Sequence, residues 1–226
     1  MCNLLGEGLS PQTSQEGDDG DVLRLLRVPG VNTLLFSHPA ARSLLVNRLV
    51  VSFLEAGRLV VYLDLDTAFT VGLERGFSGL PSSPDLLVAT PQGEDLDRYV
   101  AQVLSARSPV GLLVFDSVTS FYHMLKAPGE GFGDLNLKLG VYVALFRELA
   151  ARGSTVLLTA MVKAKRGAGG WVPAPAGGEV VRRGSDTILA AELEEGVVSI
   201  RVVKHPDPGV KGRELHLALG EGVNQV

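Results

Sequence analysis

Three aspartates stand where apolar runs stop. "RLVVYLDLD" ends in Asp64 and Asp66, and "VGLLVFD" ends in Asp116. In open α/β sheets, ligands bind outside the carboxyl ends of the strands. A carboxylate there can hold a hydrated Mg²⁺ or orient a water for attack on a γ-phosphate. It can also simply mark where a buried strand meets solvent. A second candidate lies upstream, in "FSHPAARSLL", Phe36 to Leu45. It follows a short apolar run and precedes a helical pattern, the position of a phosphate-binding loop. An intact loop reads G-x-x-x-x-G-K-[ST], with backbone N–H groups around the phosphates and a lysine on the β/γ-phosphates. Aligned on Ser43, this chain has Phe36 and Ala41 at the glycine positions and Arg42 at the lysine. One deletion puts Ser37 at the first glycine instead. Side chains then stand where only glycine lets backbone approach phosphate. Ser43 keeps the hydroxyl that would meet Mg²⁺, but the planar fork of Arg42 is not a conservative substitute for lysine.

A third candidate is basic. Lys163, Lys165 and Arg166 enter "KAKRGAGGWVPAPAGG", a Gly/Pro/Ala-rich stretch expected to be a long loop, and Arg182 and Arg183 follow its exit. Trp171, the one tryptophan, lies inside it. Cations pair with phosphates and an indole stacks on a base, a combination suited to single-stranded nucleic acid. The bland alternative is a solvated loop whose tryptophan packs back on the body.

The elements that must position these groups are legible. "VNTLLF" reads as a short buried strand. "ARSLLVNRLVVSFLEAG" puts Leu44, Leu45, Leu49, Phe53 and Leu54 near one helical face, with Gly57 past its end. "RLVVYLDLD", "DLLVATP", "VGLLVFD" and "STVLLTAMV" read as further strands, and "GEDLDRYVAQVLSAR" as an amphipathic helix. "FGDLNLKLGVYVALFRELAARG" alternates with period two in its middle, but Leu135, Leu139, Tyr142, Phe146 and Leu149 fit a helix over its whole length. Short apolar strands alternating with helices argue for a mostly parallel sheet with helices on both faces. "DTILAAELEEGVVSIRVVKHP" reads as an antiparallel hairpin around "EEG", followed by a last strand, "RELHLAL".

Composition bounds the rest. The 226 residues are 46% hydrophobic, enough for one substantial core. Residues 1–20 are rich in Gly, Ser, Gln and acids and are expected to be disordered, leaving 21–226 as a single domain. A net charge of −4 restricts any nucleic-acid contact to a local basic patch. One cysteine, Cys2, excludes a disulfide scaffold, and four scattered histidines give no metal-ligand spacing. The absence of a signal-peptide pattern and of a long apolar span leads to the expectation of a cytoplasmic protein with no membrane contact.

The ordered set of motifs resembles the RecA/RadA recombinase family. "VVYLDLDTAF" is similar to the family's strand carrying a catalytic glutamate, with Asp66 in that place and Phe69 at a typical phenylalanine. "GLLVFDSVTSFYH" resembles its Walker B strand, with Asp116 as the Mg²⁺ acid. "ELAARGSTVLLTAMVKAK" resembles the helix and strand before its second DNA-binding loop, and "PAGGEVVRRGSDTILAAE" the Gly-Gly segment and strand after it. "RVVKHPDPGVKGRELHLALGEGV" resembles its closing hairpin. The resemblance runs from about Leu25 to Val223 and implies a RecA-like core, while no helical N-terminal DNA-binding domain is recognised. That pattern suits a short, RadB-like paralogue with a degenerate Walker A loop. Where the family has an Asn-Gln pair sensing the γ-phosphate, this chain has Ala160 and Met161.

The departures at Phe36–Ser43, Asp66 and Ala160–Met161 all fall on nucleotide-driven switching. The expected function is therefore a non-catalytic accessory factor in homologous recombination and DNA repair. It would bind single-stranded DNA through the basic stretch and pair with another family member or with itself. No cofactor is expected. ATP and Mg²⁺, on Ser37, Arg42, Ser43 and Asp116, belong to the alternative of a DNA-dependent ATPase with an unusual phosphate loop. A further alternative is a structural adaptor that binds a recombinase without touching DNA.

Overall fold

The computed structural model describes residues 15–218 apart from 27, 77–79, 81–82, 94, 127–130 and 168–169. The elements run α1 (Gln15–Leu26), β1 (Gly30–Phe36), α2 (Pro39–Glu55), β2 (Leu59–Asp64), α3 (Ala68–Glu74), β3 (Leu86–Ala89), α4 (Asp95–Leu104) and β4 (Val110–Asp116). They continue with α5 (Val118–Leu125), α6 (Phe132–Ala151), β5 (Thr155–Gly167), β6 (Gly170–Pro175), α7 (Gly178–Gly184), β7 (Thr187–Glu194), β8 (Val197–Lys204) and β9 (Glu214–Ala218). Helix α1 begins inside the 1–20 segment expected to be disordered; residues 1–14 lie outside the described residues.

One sheet of order β3-β2-β4-β5-β1-β7-β8-β9 organises the chain, with β6 on the far end of β5. Strands β3 to β7 along that order are parallel, and β7-β8-β9 are antiparallel. This is the expected α/β architecture, a mostly parallel sheet extended by a C-terminal hairpin. The central strands β1 and β4 are buried along their whole length, which is why they read as continuous apolar runs and not as alternating ones.

Each face of the sheet has its own core. On one face α2 lays Leu45, Leu49, Val50 and Phe53 against Leu34, Val60, Leu112 and Val114, with α1 adding Val22 and Leu26. On the other, α6 turns Leu135, Leu139, Tyr142, Phe146 and Leu149 onto Phe115, Leu113 and Leu158. Phe146 meets Phe115 with ring centroids 5.7 Å apart. The helical periodicity in α6 therefore wins over the period-two alternation. Leu137 and Val141, which complete that alternation, are exposed.

The Gly/Pro-rich stretch is a correction. It was expected to be a loop; its backbone forms an antiparallel β5–β6 hairpin, paired from Val162↔Pro175 to Gly167↔Gly170. The prolines do not exclude pairing. Pro173 and Pro175 are two residues apart, so their missing N–H groups fall on the same side of β6, and an edge strand has one side that needs no ladder bonds. Gly177 follows at φ 78°, and a Cβ there would lie 2.5 Å from Val181 Cγ2, so the Gly-Gly segment is set by close packing as well as by backbone conformation. No helix among the described residues is long and apolar enough to cross a membrane.

Candidate functional site: an arginine between aspartates

Strand β1 ends at Phe36 and helix α2 begins at Pro39, so only Ser37 and His38 connect them. Phe36 and Ala41, aligned on the glycines of a phosphate loop, are a buried strand residue and a buried helical residue. Two residues do not form a wrapping loop. The helix start is also closed to anions. Pro39 has no N–H, Ala40 N donates to His38 Nδ1 at 3.2 Å, and Ala41 N donates to His38 O at 3.1 Å. Ser37 and Ser43 are exposed, Ser37 in the turn and Ser43 in the first turns of α2.

The short turn sends Arg42 inward. Its side chain is 9% exposed, and Nη1 donates to Asp66 Oδ2 at 2.9 Å and to Asp116 Oδ1 at 3.1 Å. Asp116, at the end of β4 and 1% exposed, also accepts from Thr159 Oγ1 at 2.5 Å and from the Tyr62 hydroxyl. Asp66 further accepts from Ser120 Oγ at 3.3 Å and Ala68 N at 3.1 Å. Asp64 is fully buried; its Oδ2 takes Thr70 N at 2.8 Å and Thr70 Oγ1 at 2.7 Å, which anchors the start of α3. Between these anchors Thr67 takes φ 63°, a left-handed conformation rare for a β-branched residue. Phe69 from α3 then stacks on Tyr62 with centroids 3.7 Å apart.

The electrostatics follow from burial and this one cation. Burial alone would lower the pKa of Arg42, but Asp116 and then Asp66 outweigh it and hold the guanidinium above its ordinary value. Burial raises Asp66 too, yet Arg42 prevails and holds it below the usual carboxylate range. For Asp116, burial prevails against Arg42, Thr159 and Tyr62 and pushes the group up. Around it stand three donors, which suits the carboxylate form. Burial is also the largest cause at Asp64, which is raised despite its two bonds from Thr70. Asp64 Oδ1 is buried with no hydrogen-bond partner among the described residues. Asp64 contributes last, after Arg42 and Ala68 N, to holding Asp66 low. One oxygen from each of Asp64, Asp66 and Asp116 lies within 4.8 Å of the others.

The structure thus joins Arg42, Asp66 and Asp116 and leaves Ser37 and Ser43 outside the contact. Ala160 is buried in the core, and at Met161 the backbone N–H donates to Thr119 Oγ1 at 2.9 Å. Lys163, Lys165, Arg166 and Trp171 fall on the β5–β6 hairpin, where Lys165 pairs with Val172 and Arg166 with Trp171; their side chains lie outside the described residues. Arg182 and Arg183 are elsewhere. Helix α7 carries them toward the amino ends of the strands, where Asp186 N donates to Val31 O at 2.7 Å. Tyr62 and Thr159 are site residues that the sequence reading missed. Each is a hydroxyl in a buried apolar strand, and a buried hydroxyl needs a partner.

Two outcomes test this geometry. Arg42→Ala should cost about 3–5 kcal/mol in urea unfolding, because it strands buried Asp116 without its cation. Adding Asp116→Asn should recover part of that loss, giving a coupling well above experimental scatter. The second concerns pH. A carboxyl whose folded pKa is raised contributes stability below its unfolded value, and that stability is lost as pH rises through the folded value. Asp64→Asn replaces the carboxyl with an amide and removes this titration. Its stability relative to the parent should therefore rise with pH above the ordinary carboxylate range; a flat difference would contradict a raised Asp64.

No family model and no curated protein sequence matches the chain. Solved structures do. A crystal structure of the RadB recombinase superposes with a TM-score of 0.63 at 14% identity, covering 84% of this chain and 87% of that one. A KaiC-like protein, PH0186, from the hyperthermophilic archaeon Pyrococcus horikoshii OT3 superposes with a TM-score of 0.62 at 14% identity, covering 85% and 90%. At that identity the likeness establishes architecture, and the architecture of this chain is RecA-like.

Proposed function

We propose that this chain is a recombinase paralogue whose nucleotide site is closed by its own Arg42. In this reading it acts as a non-catalytic accessory factor in homologous recombination and DNA repair. The observation that carries the reading is Arg42 Nη1 between Asp66 and Asp116, at 2.9 and 3.1 Å. The residues present do not fit a magnesium nucleotide. A bound Mg²⁺ would need carboxylate oxygens facing water and phosphate. Here those of Asp116 face Arg42, Thr159 and Tyr62. The two-residue turn offers no cradle, and the first N–H groups of α2 are bonded within the helix cap. A third support is chemical: Ala160 and Met161 carry no side-chain group that can report on a γ-phosphate.

What remains serviceable is the hairpin. Lys163, Lys165 and Arg166 on β5 and Trp171 on β6 occupy an edge ribbon continuing beyond the carboxyl end of the sheet, suited to a single strand of DNA. The partner in this reading is another RecA/RadA-family protein or a second copy, since the fold is shared with the RadB recombinase. The adaptor that binds a recombinase without DNA is what remains if the hairpin carries no binding.

Steady-state turnover of ATP, with and without single-stranded DNA, should stay at background. A rate of about 1 per second or faster, lost in Asp116→Asn, would sink the closed-site reading. For the hairpin, oligonucleotide binding should be measured across a salt series. Replacing Lys163, Lys165 and Arg166 with alanine should weaken binding and flatten the slope of log K against log salt by roughly 0.7 per lost contact. An unchanged slope and affinity would move the DNA site off the hairpin.

A further inference from the structure

Helix α7 gathers cations around one carboxylate. Arg182 grips Glu179 as a fork, Nε to Oε2 at 2.7 Å and Nη2 to Oε1 at 2.6 Å, and Arg183 Nε reaches Oε1 at 2.7 Å. Both arginines are open to solvent, their side chains 68% and 80% exposed. The backbone beneath them is fixed. Lys204 Nζ donates to Arg182 O at 3.2 Å and to Ser185 O, and Arg147 Nη1 donates to Gly184 O at 3.0 Å. Arg147 also pairs with Asp186 at 3.6 Å. Three arginines, Arg147, Arg182 and Arg183, therefore meet two carboxylates here, and Lys204 adds a fourth cation bound to backbone carbonyls, on a chain whose net charge is −4.

A guanidinium holding two oxygens of one anion is the geometry in which arginine holds a phosphate. Exposed ion pairs of this kind are weak and screened by salt, so a phosphate can displace the carboxylate. The two arginines hold Glu179 well below the usual carboxylate range, at about 2, so it stays a competing anion at any physiological pH. We propose that Arg182 and Arg183 form an anion site for the phosphates of a nucleic-acid strand, with Glu179 as its internal occupant. The site lies apart from the hairpin, on the helix that descends toward the amino ends of the strands. It rests on the reading that the chain binds single-stranded DNA, and it adds a second contact that Glu179 holds in check.

The test is binding of a single-stranded oligonucleotide to the full chain across a salt series, with the hairpin triple-alanine variant in parallel. Glu179→Gln should bind about two- to fivefold tighter, the range of an exposed ion pair. Its salt slope should be steeper by roughly 0.7 for each arginine released. Arg182→Ala with Arg183→Ala in that background should remove the gain. The side-chain Nε–H resonances of both arginines should shift with the oligonucleotide and stay in place with inorganic phosphate at equal phosphate concentration. Equal shifts with both would reassign the site to free phosphate and overturn the strand. If Glu179→Gln gains nothing while the hairpin variant loses binding, the α7 site falls and the hairpin stands. If Glu179→Gln binds tighter while the hairpin variant binds as the parent does, the α7 site stands and the hairpin falls. Absence of binding by every variant, with unmoved arginine resonances, overturns both.

Discussion

A guanidinium does not give up its proton inside a protein, so a buried arginine must have its charge matched in place. Arg42 is buried at the start of α2, and the matching groups come from the ends of two other elements, Asp66 after β2 and Asp116 at the end of β4. Thr159 from β5 and Tyr62 from β2 complete the shell around Asp116. One cation thus ties together α2, both acid-bearing strand ends and the neighbouring strand. Removing Arg42 leaves Asp116 buried without its cation, and removing Asp116 leaves the buried guanidinium only the part-exposed Asp66, so the two are energetically coupled.

The same constraint explains what surrounds it. The turn after β1 is short, so residue 42 points into the site and not along a loop. Asp64 and Asp66 are two residues apart and take different tasks. Asp66 meets the cation, while Asp64 sits under α3, bonded to Thr70. With three acids and one guanidinium in close reach, burial and the neighbouring carboxylates raise Asp64, the acid that does not touch the cation. A shared fold does not carry a shared chemistry. A RecA-like sheet places strand ends and a helix start together, and what those ends hold depends on the side chains delivered there.

Much of the architecture was legible because it rests on burial. Val31–Phe36 and Val110–Phe115 are mostly apolar and buried at every residue, as strands covered on both faces are, and the spacing of Leu135, Leu139, Tyr142 and Phe146 marks the buried face of α6. Three short helices, α3, α5 and α7, leave no periodic signal in the sequence, since seven or eight residues hold too few turns to show one. The composition of the β5–β6 ribbon, dominated by glycine and proline, predicts a loop, whereas pairing between its arms decides its backbone. At the site, the acids and Arg42 were singled out individually. Their contact was not foreseen, because it depends on a turn length and on a side-chain direction that no motif encodes. Arg182 and Arg183 were grouped with the hairpin by sequence proximity, and α7 carries them away from it.

In the closed-site reading, Arg42 occupies the place a magnesium nucleotide would need. Thermal unfolding of the full chain, with and without excess Mg²⁺ and ATP, tests it without assuming catalysis. A ligand present at about a hundredfold over its dissociation constant stabilises the folded state by about 2.7 kcal/mol, a clear rise in Tm. The closed site predicts no rise in the parent chain. A reproducible upward shift with Mg-ATP, lost when Asp116 is replaced by asparagine, would contradict it.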